Sequence, residues 1–139
     1  MTTDVVSLPG GPATQTVLMV DTDVLSRLAI ADYLRDCGYH VIEAAGPEEA
    51  MAVLKQPGLK VDILLSDVAS QSSIEDFSLA KWTRENRPGV EVLMAGSINR
   101  AAEIAGEVCE QGPFLAKPYE PQVVVDRIKR LKAARPGPL

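Results

Sequence analysis

The sequence predicts an α/β fold in which the strands of one parallel sheet alternate with helices. Short runs rich in Val, Ile and Leu lack polar alternation, as expected for parallel strands covered on both faces. Between these runs, apolar residues recur three and four positions apart, which is the helical period. Five such strand–helix pairs follow one another in a chain of 139 residues, a length typical of one domain. The predicted architecture is therefore (βα)₅.

Five apolar runs define the predicted strands. They are Thr16–Val20, His40–Ala44, 61–66, Glu91–Ala95 and 113–116. Short connections between strand–helix units favour right-handed crossovers and a parallel sheet. We expect helices one and five on one face of this sheet and helices two, three and four on the other.

Start and stop signals bound the predicted helices. Proline is favoured in the first turn of a helix, Asn at the N-cap, and Gly or Pro just beyond the end. The signals are Gly38 after the first helix, Pro47 at the start of the second, Pro88 after the third, Asn99 at the start of the fourth and Pro121 at the start of the fifth. The working domain is predicted over 16–133, with a flexible N-terminal tail over 1–15 and a C-terminal tail over 134–139.

Composition argues against several function classes. A net charge of −5 and a pI near 4.9 disfavour nucleic acid or an anionic membrane as the main partner. The longest uninterrupted apolar run, residues 50–54, is far too short to span a bilayer. Cys37 and Cys109 are too few for a structural zinc site and are expected to be free thiols. A reducing, cytoplasmic compartment is the expected location.

Polar residues follow the predicted strands at their carboxyl ends, where parallel α/β sheets place ligand chemistry. Asp21 and Asp23 follow the first strand, Asp67 the third and Lys117 the fifth. Clustered carboxylates repel one another unless a cation neutralises them, and oxygen ligands suit Mg²⁺. A carboxylate nucleophile beside a metal and a lysine is the equipment for forming an aspartyl phosphate.

The segments that carry these residues resemble the signatures of response-regulator receiver domains. They read VLMVDTD over 17–23, DILLSD over 62–67 and FLAKPY over 114–119, and CGYHV over 37–41 resembles the usual turn into the second strand. The resemblance covers about residues 16–133. It implies a flavodoxin-like, doubly wound five-stranded sheet with strand order 2-1-3-4-5.

The resemblance also implies residue roles. Asp67 corresponds to the phosphoryl acceptor, and Lys117 to the lysine that pairs with the acceptor or its phosphate. Asp21 and Asp67 would hold Mg²⁺ together with the backbone carbonyl of Ala69. Phe114 occupies the place of the aromatic switch.

Two positions depart from the receiver pattern. Thr22 stands where the family usually has a second metal-binding acid, so Mg²⁺ binding is expected to be weak. Asp23 is either a metal ligand or the N-cap of the first helix. Gly96 stands at the position of the switch hydroxyl. Ser97 is either a displaced switch hydroxyl or a helix cap.

The resemblance implies a stand-alone response regulator rather than a conventional enzyme. It would accept a phosphoryl group on Asp67 from a histidine kinase or histidine phosphotransfer protein and signal by protein contact. A homodimer through the face of helix 4, strand 5 and helix 5 is a further expectation. Thr22 and Gly96 favour the alternative, a pseudo-receiver that docks partners without phosphorylation. A flavin or nucleotide binder is a poorer alternative, because no glycine-rich phosphate loop follows the first strand.

Overall fold

The computed structural model describes residues 15–67, 74–111 and 120–134, which form four strands and five helices. The strands are β1 (Thr16–Val20), β2 (His40–Ala44), β3 (Ile63–Asp67) and β4 (Glu91–Ala95). The helices are α1 (Val24–Asp36), α2 (Pro47–Leu54), α3 (Ile74–Asn86), α4 (Ile98–Gln111) and α5 (Pro121–Ala134). Three strands have the predicted bounds, whereas β3 begins and ends later than the predicted 61–66.

The four strands form one parallel sheet in the order β2-β1-β3-β4. Val20 at the end of β1 is in register with Ala44 of β2 and Ser66 of β3, and Asp67 is in register with Ala95 of β4. The carboxyl ends of all four strands therefore meet at one edge. This order confirms the prediction for the first four strands. The predicted fifth strand over 113–116 lies outside the described residues, as do 1–14 and 135–139 of the predicted tails.

Helices cover both faces of the sheet. Successive residues of a strand point to opposite faces. Val17 and Met19 of β1 accordingly join one buried cluster with residues of α1, α4 and α5. Leu18 and Val20 join a second cluster with residues of α2 and contact α3 through Leu79. The sheet is thus buried on both sides, which explains the absence of polar alternation in its strands.

The position of α4 differs from the prediction. We expected α4 to share a face with α2 and α3, and this was wrong, because α4 packs with α1 and α5. The buried side of α4 is rich in small residues, which allow close helix packing: Ala101, Ala102, Ala105 and Gly106. A helical apolar stripe predicts that one side is buried, but it does not specify which face of the sheet receives it.

The prediction of two free thiols was also wrong. Cys37 at the end of α1 and Cys109 in the last turn of α4 form a disulfide, with a Cα–Cα distance of 5.5 Å. Beside it, the Tyr39 hydroxyl donates a 2.7 Å hydrogen bond to the Val108 carbonyl. The two cysteines are 72 residues apart in sequence, and only the placement of α4 against α1 brings them together.

Helix α5 runs antiparallel to α1. Arg127 lies 3.9 Å from Asp32 in the second half of α1, whereas Lys132, later in α5, lies 3.0 Å from Asp23 just before α1 begins. This direction carries the last turn of α5 to the carboxyl edge of the sheet. A basic side chain from the end of the chain thereby reaches the segment that follows β1.

Candidate functional site

Asp21 directly follows β1 and is almost completely buried, with 3% of its surface exposed. Its backbone N–H donates to the carbonyl of Ala44 at the end of β2, and its own carbonyl accepts a 2.8 Å hydrogen bond from Arg27. Its Oδ1 atom accepts a 2.9 Å hydrogen bond from the backbone N–H of Asp23. The buried Oδ2 atom receives no hydrogen bond from the part of the chain that the structure describes. The backbone and the Oδ1 atom of Asp21 are therefore fixed by hydrogen bonds, whereas its Oδ2 atom has no hydrogen-bond donor among the described residues.

Asp67 is the last residue of β3 and lies beside Asp21. Asp21 and Asp67 continue the alternation of Met19 and Leu65, which both face the α1 side of the sheet, and Asp67 is 8% exposed. Burial, together with the negative charge and hydrogen-bonding contact of Asp67, raises the pKa of Asp21 to about 7. The backbone N–H of Asp23 opposes this rise without cancelling it. Two buried carboxyl groups in contact form a site that favours a proton or a cation.

Asp23 is the N-cap of α1. Its side chain accepts hydrogen bonds from the backbone N–H of Ser26 at 3.1 Å and from the Ser26 hydroxyl at 2.6 Å, and it forms a 3.0 Å ion pair with Lys132. Although burial acts to raise it, the pKa of Asp23 is held below its usual range by Ser26 and Lys132. Of the two alternatives for Asp23, metal ligand or helix cap, the structure shows the N-cap of α1. Its carboxylate is engaged by α1 and α5.

The loop after β4 also displays a capping arrangement. The Ser97 hydroxyl accepts a 3.0 Å hydrogen bond from the backbone N–H of Arg100, so Ser97 rather than the expected Asn99 caps α4. Gly96 sits at the carboxyl end of β4, and a Cβ atom added there would meet no atom of the described residues within 4 Å. Its φ is not in the left-handed region. A larger residue could therefore occupy this position without backbone strain.

Of the remaining predicted site residues, Thr22 lies in the described part of the chain and three others do not. Thr22 is exposed between the two aspartates that flank it. Lys117, Phe114 and Ala69 lie outside the described residues. The structure therefore brings together Asp21 and Asp67, with Thr22 at the rim.

Curated relatives belong to two-component signalling, although no family model matches the chain. The transcriptional regulatory protein AruR of Pseudomonas aeruginosa is 29% identical over 118 residues, which are 83% of this chain and 48% of that protein. The sensor kinase CckA of Brucella abortus is 26% identical over 117 residues, 84% of this chain and 12% of that protein. The chain thus spans about half of one relative and a small part of the other.

Several solved structures with the same fold are response regulators. One from Thermotoga maritima is 25% identical with a TM-score of 0.54, over 88% of this chain and all of that chain. The chemotaxis protein CheY4 of Vibrio cholerae is 26% identical with a TM-score of 0.53, over 85% of this chain and 98% of that one. TrrA of T. maritima, solved with Mg²⁺ and BeF, is 16% identical with a TM-score of 0.54 over 85% and 99%, and shares the fold.

The chain has the CheY-like fold of response-regulator receiver domains. Its strand order and the buried aspartates at the carboxyl edge agree with the two motifs over 17–23 and 62–67 that resemble this family, whereas the third, over 114–119, lies outside the described residues. None of the helices in the described ranges is long and apolar enough to cross a bilayer.

The site offers two carboxylates to a divalent cation. Asp21 and Asp67 are buried and in contact, and the Oδ2 atom of Asp21 has no donor among the described residues, so a hard cation would relieve both their repulsion and this deficit. Within 15–67, 74–111 and 120–134, no group of three His, Cys, Asp or Glu side chains is arranged to hold a metal. The two carboxylates are oxygen ligands of the kind that Mg²⁺ takes.

Sequence reasoning missed two basic residues near the site. Arg27 ties α1 to the Asp21 carbonyl and forms a 3.2 Å ion pair with Glu43 of β2. Lys132 reaches Asp23 from α5. Arg27 could have been found from the sequence, because a basic side chain in the first turn of the helix after Asp21 can reach back to the end of the strand. No local signal indicates Lys132, since its position depends on the direction of α5.

Proposed function

We propose that this receiver domain accepts a phosphoryl group on Asp67 from a phosphohistidine of a histidine kinase or histidine phosphotransfer protein. The observation that carries the proposal is the pair of buried carboxyl groups, Asp21 and Asp67, at the carboxyl edge of a parallel sheet. Such a pair is costly to bury, because burial and the charge of Asp67 disfavour ionisation of Asp21. A bound cation would relieve the repulsion between the two carboxylates, and phosphoryl acceptance on Asp67 would take place at the same site.

The transfer needs one nucleophile and no other covalent chemistry from the domain. A carboxylate oxygen of Asp67 attacks phosphorus, the phosphorus–nitrogen bond of phosphohistidine breaks, and the electron pair returns to the imidazole of the donor. Asp21 and Asp67 would hold Mg²⁺, which supplies charge neutralisation for the phosphoryl oxygens when bound. The domain is thus a phosphoacceptor in a signalling pathway rather than a conventional enzyme.

Residues outside the described ranges complete this proposal. We assign Lys117 to pair with the acylphosphate, Ala69 to give a backbone carbonyl to the metal, and Phe114 to report the phosphorylated state. Ser97 is the nearest hydroxyl in sequence to the switch position; its oxygen accepts the capping hydrogen bond from Arg100, and its O–H would be the donor to a phosphate.

The output we propose is a protein–protein contact in the cytoplasm. Its surface would include the face of α4, the predicted fifth strand and α5, through which a homodimer can also form. Neither nucleic acid nor a membrane is part of the proposal, in line with the net charge of −5.

A pseudo-receiver that docks partners without phosphorylation is the second candidate. The observation that favours it is the engagement of Asp23 by Ser26 and Lys132, beside an uncharged Thr22. Asp23 is then committed to the cap, and the acid pair alone must attract the cation.

Intact mass spectrometry separates the two candidates. The chain is incubated with Mg²⁺ and a small acyl phosphate or phosphoramidate, and its mass is compared with that of Asp67→Asn. Asp126→Asn, which removes an exposed carboxylate of α5, is the matched control. One phosphoryl group on the wild type and on Asp126→Asn, but not on Asp67→Asn, supports the phosphoacceptor. No gain of mass in the wild type selects the pseudo-receiver.

A further inference from the structure

The Cys37–Cys109 disulfide is a feature that the phosphoacceptor function does not use. It joins the C-cap of α1 to the last turn of α4 at the edge of the sheet opposite Asp21 and Asp67. Both residues are buried, with at most 1% of their surface exposed. The bond therefore connects the helix that begins at the acidic site with a helix of the proposed output surface.

The surrounding structure holds the two sulfur atoms near each other without the bond. The backbone N–H of Cys37 donates to the carbonyls of Tyr33 and Leu34, which fixes the end of α1. Two residues later, the Tyr39 hydroxyl donates to the carbonyl of Val108, the neighbour of Cys109 in α4. Because these hydrogen bonds do not depend on sulfur oxidation, the reduced thiols remain close enough to form the bond again.

The core is also complete without the bond. Cysteine in its thiol form packs as a small apolar residue. The side of α4 that faces α1 already buries the small residues Ala101, Ala102 and Ala105 beside it. A domain of this length needs no disulfide to fold. These features favour a bond that can open and close over one that only staples the fold.

We propose that Cys37 and Cys109 form a reversible redox lock that controls how firmly α4 is held against α1. In the disulfide form the last turn of α4 is covalently tied to the end of α1. In the dithiol form this covalent tie is lost, while the Tyr39 hydrogen bond and the apolar contacts remain. This inference does not depend on phosphorylation of Asp67.

The lock operates by thiol–disulfide exchange with a low-molecular-weight thiol such as glutathione. The small thiolate attacks one protein sulfur, which breaks the protein disulfide, forms a mixed disulfide and releases the other cysteine as a thiolate that takes up a proton. A second small thiolate attacks the small-molecule sulfur of the mixed disulfide and frees the first cysteine, again with uptake of a proton. The protein disulfide gains two electrons and two protons, and two small thiols become one small disulfide.

Access to the buried bond requires only local opening. Cys109 lies two residues before the end of α4 at Gln111, and Cys37 lies at the end of α1. Helix ends open at a lower free-energy cost than helix centres. Opening of one turn of α4 is thus sufficient to expose the sulfur of Cys109.

The test begins with thiol counting on the wild-type chain. The folded chain is equilibrated in glutathione buffers of graded ratio, then unfolded and alkylated, and the adducts are counted by mass. We expect no adducts in oxidised glutathione, two in excess reduced glutathione, and a mixture of both states between these limits. A pair that stays oxidised in excess reduced glutathione would show a structural staple and overturn the proposal. Two adducts in oxidised glutathione would overturn it as well.

Amide hydrogen exchange tests the consequence for α4. Reduction should increase exchange in peptides from the second half of α4, whereas peptides from α2 should exchange alike in both forms. The thermal midpoint should fall by roughly 10–20 °C on reduction, since a long loop is released in the unfolded chain. The double variant Cys37→Ala and Cys109→Ala should show no response to reductant. If this variant fails to fold, the wild-type comparison decides alone, and equal α4 exchange in both forms would refute the lock.

Discussion

Deprotonation of Asp21 should destabilise the metal-free domain. The pKa of Asp21 is about 7 in the folded chain, against an ordinary value of 3.8 that applies when the chain is unfolded. Between these two values the folded chain binds more protons than the unfolded chain, so the free energy of unfolding falls as pH rises. The effect is present in full below about pH 4 and is lost as the pH rises through about 7.

The size of the effect follows from the shift. Each pKa unit corresponds to about 1.4 kcal/mol, so a shift of this size is worth up to about 4 kcal/mol. Domains unfold with a free energy of about 5–15 kcal/mol, so the change would be a large part of the total. Asp21 is only 3% exposed, so solvent screening reduces the effect little.

Urea unfolding at several pH values between about 5 and 8, without Mg²⁺, measures this effect. Asp21→Asn should flatten the pH dependence, because an amide does not titrate and can donate to Asp67. Asp126→Asn should keep the wild-type profile, since that carboxylate is exposed. Added Mg²⁺ should restore more stability at high pH than at low pH. If the wild type and Asp21→Asn lose equal stability between pH 5 and 8, the assignment of a raised pKa to the buried Asp21 is wrong.

Three further predictions concern residues around the pair. Thr22→Asp should tighten Mg²⁺ binding on the order of tenfold in calorimetric titration, because it adds a charged oxygen ligand at the rim, and unchanged binding would contradict the position assigned to Thr22. Gly96→Thr should fold normally, since the added Cβ has open space, and should enlarge the shift of α4 amide resonances on addition of beryllium fluoride. A large response already present in the wild type would show instead that Ser97 supplies the hydroxyl. Asp23→Ala should lower the free energy of unfolding by about 1–2 kcal/mol in urea, because α1 loses its N-cap and the Lys132 pair, whereas Thr22→Ala should cost little.

Three strands and the acidic pair could be predicted from the sequence alone. Apolar runs without polar alternation predicted β1, β2 and β4 with their bounds, because a parallel strand covered on both faces needs apolar residues at successive positions. Parallel strands end at one edge, so residues placed directly after two neighbouring strands must meet. The positions of Asp21 and Asp67 at two strand ends therefore sufficed to predict their contact, although they are far apart in the chain.

The placement of α4 and the direction of α5 could not be predicted from local sequence patterns and are known only from the packed fold. The apolar stripe of α4 required a buried side but was equally compatible with either face of the sheet. The disulfide between Cys37 and Cys109 depends on the placement of α4. The ion pair between Asp23 and Lys132 depends on the direction of α5. These contacts join residues that no local pattern relates. They form only once the helices have packed, because packing selects among arrangements that satisfy the same local rules.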